Sequence, residues 1–411
     1  MATDPITSQG SLTGVRVLDA SHQYSGAFAA SLLRDLGAEV IAVEHPRGSP
    51  IRTMLPKRGT ESLWWMVLQR DKQNITLKLS TPEGQRIFKQ LAQESDVIIE
   101  NFRPGTLERW GLGPEDLTAA GVDAVLLRIS GFGQTGPSSH RPGFGTVAEA
   151  LSGFAHLNGF PDGPPALPSV TLADGVAAVF GSLGVLAALL QRSKSDRGPG
   201  VQVVDMALVE GLLKIIPNQV TAFDQLGIVM RRYGNSLLDK GVLRDLFVTA
   251  DDRYVAIGGG IGVPSIKRTL ETVDAPDLAA EIDDGVLDGD QATVREFLGR
   301  AHERMLDWVH NRDYEEVAEV LARCQVVHSP IYTVEDIVKD PHFRFRDAII
   351  SVEDNEGQPV EMTGIVPKVG GTAVGTHRVG APKGAFNNEV LGDRLGLSDS
   401  ELADLAERGV I

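Results

Sequence analysis

The sequence predicts an α/β protein in which a large Rossmann-like domain is joined to a smaller α+β domain. Short apolar runs alternate with segments of helical periodicity, as in β-α-β units, at residues 15–18, 40–43, 97–99 and 125–129. After about residue 234 this alternation gives way to acid-rich, mostly helical sequence. A strand-like pattern at 326–332 and a hairpin across 354–358 indicate that the last part of the chain returns to the large domain.

The first β-α-β unit is expected to run from a strand at 15–19 through a helix at 26–36 to a strand at 40–44. The turn after its first strand lacks the G-x-G-x-x-G spacing that brings a pyrophosphate close to the backbone. We therefore expect Rossmann-like topology without NAD or FAD.

Later elements carry clear end signals. Thr81, followed by Pro82 and Glu83, supplies an N-cap, a first-turn proline and an acid that a helix N-terminus favours, which predicts a helix to about Glu94. A helix is expected over 173–192 and a strand over 201–204.

The domain boundaries follow from these patterns. A hairpin is predicted from residues 246–249 and 254–257 at the start of the smaller domain. The expected arrangement is a large domain over 1–215, a linker over 216–233, a small domain over 234–326 and a returning segment over 327–411.

Composition excludes several classes of function. The 411 residues carry a net charge of −16 and a pI near 5.0, so they offer no broad positive field for nucleic acid. The single cysteine, Cys324, excludes an internal disulfide, and no Cys/His cluster has zinc-ligand spacing. Residues 1–10 do not read as a signal peptide, and the uncharged stretch 175–190 is short for a membrane span. We expect a cytoplasmic protein with no membrane partner.

A Gly/Pro-rich segment at 131–168 leads to the most informative acidic residue, Asp174. So long an irregular stretch in a compact domain is usually functional or disordered, and its four phenylalanines favour order. Asp174 opens a helix that is then uncharged for sixteen residues, and on spacing alone it reads as an N-cap. The same placement also suits a nucleophile whose acyl derivative is stabilised by the N–H groups of the helix terminus.

Other polar residues permit two interpretations. Asp19 and Glu44 end strands, where α/β proteins bind ligands, but structural hydrogen bonding explains them as well. His22 and His140 are the histidines considered for acid/base work, and both are expected to be structural. Three arginines suggest a local basic pocket for phosphates in an acidic protein: Arg103, Arg109 and Arg141.

Several longer motifs occur in order along nearly the whole chain: GVRVLDASHQYSGAFAASLLRDLGAEVIAVEHP, ENFRPGTLERWGLG, GFGQTGPSSHRPGF, NGFPDGPP, ADGVAA, DRGPGVQVVDMALVEG, VHSPIYTVEDIVKDPHFRFR and VLGDRLGLSDSELADLAERGVI. In this order and spacing they resemble the family III coenzyme A transferases. That group includes formyl-CoA and carnitine CoA transferases, with α-methylacyl-CoA racemases as relatives.

The resemblance implies a large Rossmann-like domain built from both chain ends, a small domain between them, and a homodimer whose subunits interlock as linked rings. Asp174 falls on the family's catalytic aspartate. By similarity it attacks an acyl-CoA thioester to give an aspartyl anhydride, then carries CoA as an aspartyl thioester until a carboxylic acid accepts it. Acyl-CoA and a carboxylic acid are then the substrates, and neither a metal nor a tightly bound cofactor is expected.

The resemblance also implies a set of CoA contacts. The matching positions are Tyr24, Ser25, His45, Leu77, Lys78, Leu79, Ser80, Asn101, Phe102, Arg103, Arg109, Arg141, Phe144 and Gly145. His45 stands where some members have Arg, which changes that contact. Formyl-CoA transferases close a four-glycine run over the aspartate; the corresponding region here is 234–238, and the glycines at 258–260 lie elsewhere.

Three functions remain open at this point. The first is CoA transfer between carboxylic acids, within or between molecules, with RPGFGTVAEALSGFAHLNGFPDGPP resembling members that handle succinyl, mesaconyl or citramalyl groups. The second is racemisation next to a thioester, which the chain disfavours because Phe144 stands where racemases have a histidine. The third is CoA binding without catalysis, which the presence of Asp174 disfavours.

Overall fold

The computed structural model describes residues 10–194, 198–236, 244–258, 262–372 and 374–411. Within these ranges the chain forms two compact units. The large unit takes the described parts of Met1–Phe154, Pro168–Asn218 and Pro341–Ile411. The small unit takes the described parts of Ala155–Leu167 and Gln219–Asp340.

The strands follow the chain as β1 (Arg16–Asp19), β2 (Glu39–Glu44), β3 (Lys57–Arg58), β4 (Glu61–Ser62), β5 (Gln73–Thr76), β6 (Val97–Glu100), β7 (Val125–Ser130), β8 (Gln202–Ala207), β9 (Arg244–Val248), β10 (Tyr254–Gly258), β11 (Val327–Pro330), β12 (Ile349–Glu353) and β13 (Pro359–Thr363). Six of them form a parallel sheet in the large unit, in the order β5-β2-β1-β6-β7-β8. After β1, the strands β2 and β5 are added on one side of the sheet. β6 then pairs with the other side of β1, and β7 and β8 continue in that direction. α/β sheets bind ligands at such a reversal, beyond the carboxyl ends of the strands.

The α-helices are α1 (Tyr24–Asp35), α2 (Leu63–Leu68), α3 (Pro82–Gln93), α4 (Thr106–Arg109), α5 (Pro114–Ala119), α6 (Gly145–Leu151), α7 (Phe154–Leu157), α8 (Leu172–Lys194), α9 (Leu208–Ile215), α10 (Asn218–Leu226), α11 (Val263–Thr272), α12 (Pro276–Asp283), α13 (Gln291–His310), α14 (Tyr314–Arg323), α15 (Val334–Lys339), α16 (Pro341–Phe345) and α17 (Asp399–Glu407). Short 3-10 turns occupy Pro50–Thr53 and Val286–Asp288, and a π-helical turn occupies Asn388–Arg394.

Helices cover both faces of the parallel sheet, which explains the continuous apolar runs of its strands. In β1, Leu18 belongs to a core that includes residues of α3, α5 and α17, whereas Val17 belongs to a second core with residues of α1, α8 and α9. Both side chains are almost fully buried. The mixed α/β prediction with a large parallel sheet is confirmed.

The turn between β1 and α1 is fixed by a buried ion pair. Lys72, which is 0% exposed, donates from Nζ to Asp19 Oδ2 at 3.0 Å and to the Ala27 carbonyl at 2.8 Å. The other oxygen of Asp19 accepts the Ser21 N–H at 3.0 Å. Because the charges are paired and hydrogen-bonded, they hold the first turn of α1 against the end of β1.

Helix α8 is the longest helix of the large unit among the described residues, and small residues bring it close to the sheet. A Cβ added to Gly181 would lie 3.1 Å from the Leu127 side chain of β7. Of the described helices, α8 alone is long and apolar enough to cross a membrane by length and composition. Its contacts with α1, β7 and β8 account for the apolar residues on its inner side.

Several predicted elements are confirmed and others need correction. Thr81 caps α3 by accepting the Gly84 N–H at 3.2 Å, and β9–β10 and β12–β13 form the predicted hairpins. The stretch 131–168, expected to be irregular, contains α6 and α7, whose helix formers are hidden by flanking glycines and prolines. Strand β5 was not predicted, because its sequence QNIT is mostly polar although Asn74 and Thr76 are buried.

The small unit differs in its boundaries from the predicted small domain. Strand β11 pairs antiparallel with β10, so the small unit continues to Asp340 instead of ending at 326. The expected linker, 216–233, contains helix α10. The glycine regions at 234–238 and 258–260 extend into residues outside the described ranges.

Candidate active site

The carboxyl-terminal edge of the parallel sheet gathers the residues singled out from the sequence. Tyr24 and Ser25 follow β1, His45 follows β2, and the stretch Leu77, Lys78, Leu79 and Ser80 follows β5. Asn101, Phe102, Arg103 and Arg109 follow β6, while Arg141, Phe144 and Gly145 follow β7. Parallel strands end at the same edge, so the topology places all these segments on one side of the large unit.

Asp174 lies in the first turn of α8, although it is not the cap. The helix begins at Leu172, and the Thr171 carbonyl accepts the Gly175 N–H at 3.0 Å. Asp174 is therefore the third helical residue, and the N-cap interpretation is wrong because the helix starts two residues earlier. Its carboxylate remains near the N–H groups of the helix start, and its own N–H is one of its hydrogen-bond donors.

Two other segments of the large unit converge on this carboxylate. From α1, the Ser25 hydroxyl donates to Asp174, and Ser25 is only 3% exposed. From α6, the backbone of Gly145 approaches so closely that an added Cβ would lie 2.3 Å from Asp174 Oδ2. Any side chain at position 145 would collide with the carboxylate, so this approach requires glycine.

A second carboxyl group lies beside Asp174. Glu149, on α6, is 4% exposed, and its Oε1 accepts the N–H of Ala173 at 3.3 Å. Sequence reasoning missed this residue. One signal was available in the sequence: Glu149 is the only Asp, Glu, Lys or Arg between Arg141 and Asp162.

The surroundings make Asp174 an unusually basic carboxylate. Burial, and then the charge of Glu149, raise the pKa of Asp174 to about 6, although the Ser25 hydroxyl and the backbone N–H partly oppose the rise. No described Lys, Arg or His comes within 4 Å as an ion-pair partner of Asp174. At neutral pH the group is mostly ionised yet retains more basicity than an ordinary aspartate, which suits a nucleophile.

Tyr24 forms an aromatic wall near Asp174. Its ring packs edge-on against Trp64, with 5.5 Å between the ring centroids, and its hydroxyl is hydrogen-bonded to Thr171. Burial raises the pKa of Tyr24, and the negative charge of Asp174 adds to this effect. The phenol therefore stays protonated at physiological pH and can act as a hydrogen-bond donor or acceptor.

Asn101 ties the two central strands together at the point where the sheet order reverses. Its Oδ1 accepts the His22 N–H at 2.8 Å. The His22 ring packs edge-on against Phe102 with centroids 4.4 Å apart, and burial lowers the pKa of the imidazole. His22 therefore has a structural environment, and His140 is exposed. Glu44 also forms structural contacts, accepting hydrogen bonds from Ser49 and Arg52.

The three arginines predicted as a pocket are exposed and make no ion pair with described residues. Arg109 donates to Thr106 Oγ1 at 2.9 Å, and the Arg141 guanidinium lies 4.9 Å from the Phe132 ring centroid. Arg103 and Arg109 follow β6, whereas Arg141 follows the neighbouring strand β7. Their charges remain available to a ligand at this edge.

A hydrogen-bonded charge network, also missed from the sequence, fixes the loop after β6; Arg128 and Glu100 are buried, and Glu108 lies at its exposed end. Arg128 binds Glu100 and Glu108 through hydrogen bonds of 2.7 Å each. The second oxygen of Glu100 accepts the Phe102 N–H at 2.7 Å. These contacts hold the Asn101–Arg103 backbone in place, and the charges are satisfied within the network.

We expect Asp174→Asn to stabilise the protein at high pH. The folded protein raises the pKa of Asp174 from 3.8 to about 6, so protonation favours the folded state. This contribution is fully present below about pH 3.8 and is lost as pH rises through about 6. The Asn variant, which cannot ionise, should gain roughly 1–3 kcal/mol over wild type at about pH 8, allowing for partial solvent exposure.

Urea unfolding at about pH 8 and about pH 5 measures this difference. The advantage of the Asn variant should shrink at the lower pH, because wild-type Asp174 is then largely protonated. An equal advantage at both pH values would contradict the assigned environment of Asp174.

Comparison with known proteins identifies the family. The model of CoA-transferase family III matches residues 12–387. The chain is 36% identical over 407 residues to the succinyl-CoA–D-citramalate CoA-transferase of Chloroflexus aurantiacus, covering 97% of this chain and 98% of that protein. It is 32% identical to the succinyl-CoA:mesaconate CoA-transferase of Haloarcula hispanica, covering 89% and 93%. A CAIB/BAIF family protein from Brucella suis has a similar crystal structure, with a TM-score of 0.79, 25% identity and coverage of 94% and 99%. The chain therefore belongs to CoA-transferase family III.

Proposed function

We propose that this protein transfers coenzyme A from an acyl-CoA to a small dicarboxylic acid, with Asp174 as the nucleophile. The observation that carries the proposal is the environment of Asp174. It is a carboxylate without a cationic partner among the described residues, its pKa is raised to about 6, and a glycine backbone lies against one of its oxygens. Such a group is basic enough to attack a thioester and is poorly explained by stability alone.

The first half of the reaction loads CoA onto the enzyme. An oxygen of Asp174 attacks the thioester carbonyl, the carbon–sulfur bond breaks, and CoA leaves as a thiolate. The thiolate then attacks the aspartyl carbonyl of the resulting anhydride, which releases the donor acid as its carboxylate. Asp174 now holds CoA as a thioester, with no net gain or loss of protons.

The second half reverses these steps with the acceptor. The acceptor carboxylate attacks the aspartyl thioester and expels CoA thiolate, giving a new anhydride. The thiolate attacks the acceptor carbonyl, which forms the product acyl-CoA and regenerates the Asp174 carboxylate. The Ser25 hydroxyl and the N–H of Asp174 itself, which both favour negative charge on this carboxylate, are suited to stabilise charge on these oxygens.

CoA is proposed to lie along the carboxyl-terminal edge of the sheet. Exposed Arg103, Arg109 and Arg141 can bind its phosphates, and Tyr24 and Gly145 border the thioester end. The net charge of −16 makes long-range attraction of this anion weak, so local arginine geometry should dominate binding.

The named activities of the relatives support the substrate class. Relatives at 30–36% identity act on citramalate, malate, mesaconate and oxalate, with succinyl-CoA or acetyl-CoA as donor. All four acceptors are dicarboxylic acids, so we propose a small dicarboxylic acid for this chain. CoA itself is a substrate in this scheme, and no tightly bound cofactor is invoked.

We further propose a cytoplasmic homodimer whose subunits interlock, with the large domain built from both chain ends. One feature of α8 supports the dimer. Val179, Leu183 and Leu190 are each more than half exposed and share one face of the helix. An apolar face of this kind on a long helix is suited to burial by a second copy.

The substrate prediction is tested with succinyl-CoA and a panel of acids comprising malate, citramalate, mesaconate, glutarate and acetate. New acyl-CoA products, followed by mass spectrometry, should appear with one or more dicarboxylates and at most weakly with acetate.

Asp174→Asn should lower transfer by roughly 10⁴-fold or more while remaining folded. Transfer by Asp174→Asn at the wild-type rate would refute the nucleophile assignment. Solvent deuterium entering the acyl α-carbon without acyl exchange would indicate racemisation.

Gly145→Ala tests the close approach of the backbone to Asp174. The new Cβ would displace the carboxylate, and a displacement of about 1 Å can cost about 10²-fold in rate. The matched control is Gly299→Ala on α13, where an added Cβ meets no atom within 4 Å. We expect the control to transfer CoA normally and to be slightly stabilised. Equal rates for the two variants would contradict the proposed geometry.

A further inference from the structure

Glu149 is a buried acid whose position a merely structural role does not explain. It is 4% exposed, and none of the described Lys, Arg or His residues forms an ion pair with it. Other buried acids of the large unit are paired: Asp19 with Lys72 and Glu100 with Arg128. An unpaired acid at this depth is costly and calls for a separate explanation.

The geometry of α6 directs Glu149 at the start of α8. Gly145 and Glu149 are four residues apart on α6, so they share one face of that helix. Gly145 contacts the Asp174 carboxylate, and Glu149 accepts the N–H of Ala173, the residue immediately before Asp174. One helix face therefore contacts both the nucleophile and the backbone that carries it.

The other groups around Asp174 do not cancel the charge of Glu149. α1 contributes the neutral hydroxyls of Tyr24 and Ser25. The charged residues of α9, which packs against α6 and α8, are Glu210 and Lys214, and both are exposed. Glu149 is the charged side chain that acts on Asp174, and it raises the pKa of that residue.

We propose that Glu149 is a positioning residue for CoA transfer, holding the first turn of α8 through Ala173 while keeping a negative charge beside Asp174. The hydrogen bond fixes where Asp174 points. The charge disfavours the free Asp174 carboxylate relative to its neutral anhydride and thioester forms, which promotes acylation. The effect on the transfer rate rests on the proposed function, whereas the effect on the ionisation of Asp174 does not.

Glu149→Gln separates the two contributions, because Gln keeps an acceptor oxygen for Ala173 but removes the charge. Without the like charge, the pKa of Asp174 should fall below about 6, and the acid limb of the pH–rate profile should move to lower pH. Transfer at about pH 8 should fall roughly 10-fold, with the KM for succinyl-CoA changed less than about 2-fold. Glu149→Asp, which retains the charge, should keep the acid limb near its wild-type position.

The matched control is Glu115→Gln, an exposed acid on α5 of the same unit, which should leave rate and acid limb unchanged. A second readout is independent of transfer. ¹³C-carboxyl NMR of aspartate-labelled protein, with the Asp174 resonance assigned from Asp174→Asn, should report the lower pKa of Asp174 in Glu149→Gln. Intrinsic fluorescence and urea unfolding establish that each variant is folded.

An unchanged acid limb and NMR titration in folded Glu149→Gln would overturn the proposal. A rate loss that accompanies lower stability, without a shift of the Asp174 titration, would also overturn it in favour of a purely structural role. If neither wild type nor variant transfers CoA to any acid, the proposed function fails, and the NMR titration still decides whether Glu149 controls Asp174.

Discussion

The site depends on a carboxylate that is held against a glycine backbone, with a second carboxylate nearby and no cationic ion-pair partner within the described part of the chain. Asp174 sits in the first turn of α8, Gly145 closes on one of its oxygens, and Ser25 donates to it. The order of the sheet makes this meeting possible. α1 follows β1 and the loop to α6 follows β7, so both reach the same edge of the sheet, where α8 begins.

Buried acids that form ion pairs support the fold, whereas two acids without such a partner in the described part of the chain lie at the site of the proposed reaction. Asp19 with Lys72, and Glu100 with Arg128, are buried acids whose charges are satisfied, and each pair holds a loop at the sheet edge. These pairs support the turns that carry Tyr24 and Asn101. Asp174 and Glu149 lack such partners among the described residues, and burial together with the charge of Glu149 raises the pKa of Asp174. Of these four acids, the two without a cationic partner among the described residues lie at the site of the proposed reaction.

Much of the large unit could be predicted from the sequence, because buried parallel strands form apolar runs that local pattern reveals. Strand β5 was not predicted because two of its four residues are polar yet buried: Asn74 donates to Gln69 Oε1, five residues earlier, and Thr76 is hydrogen-bonded to Asn387, which is distant in sequence. Asp174 was singled out from its isolation before an uncharged helix and from family resemblance, and its role as nucleophile stays a prediction. The exact start of the helix, which makes it the third helical residue and not the N-cap, was not predicted. Glu149 was not predicted because its position beside Asp174 depends on α6 packing against α8. The contact joins Glu149 to Ala173, 24 positions away, and sequence periodicity does not reveal such a contact.

The proposed mechanism requires that Asp174 is acylated during turnover, and oxygen isotope transfer reports on this step. If an ¹⁸O-labelled carboxylate acceptor attacks aspartyl-CoA, one labelled oxygen bridges the anhydride and remains on Asp174 when CoA takes the acyl group. Peptide mass spectrometry after turnover should therefore find ¹⁸O in the peptide containing Asp174, localised to that residue by fragmentation. Efficient turnover without label in Asp174, or with the label on another carboxyl group such as Glu149, would contradict the role of Asp174 as the nucleophile.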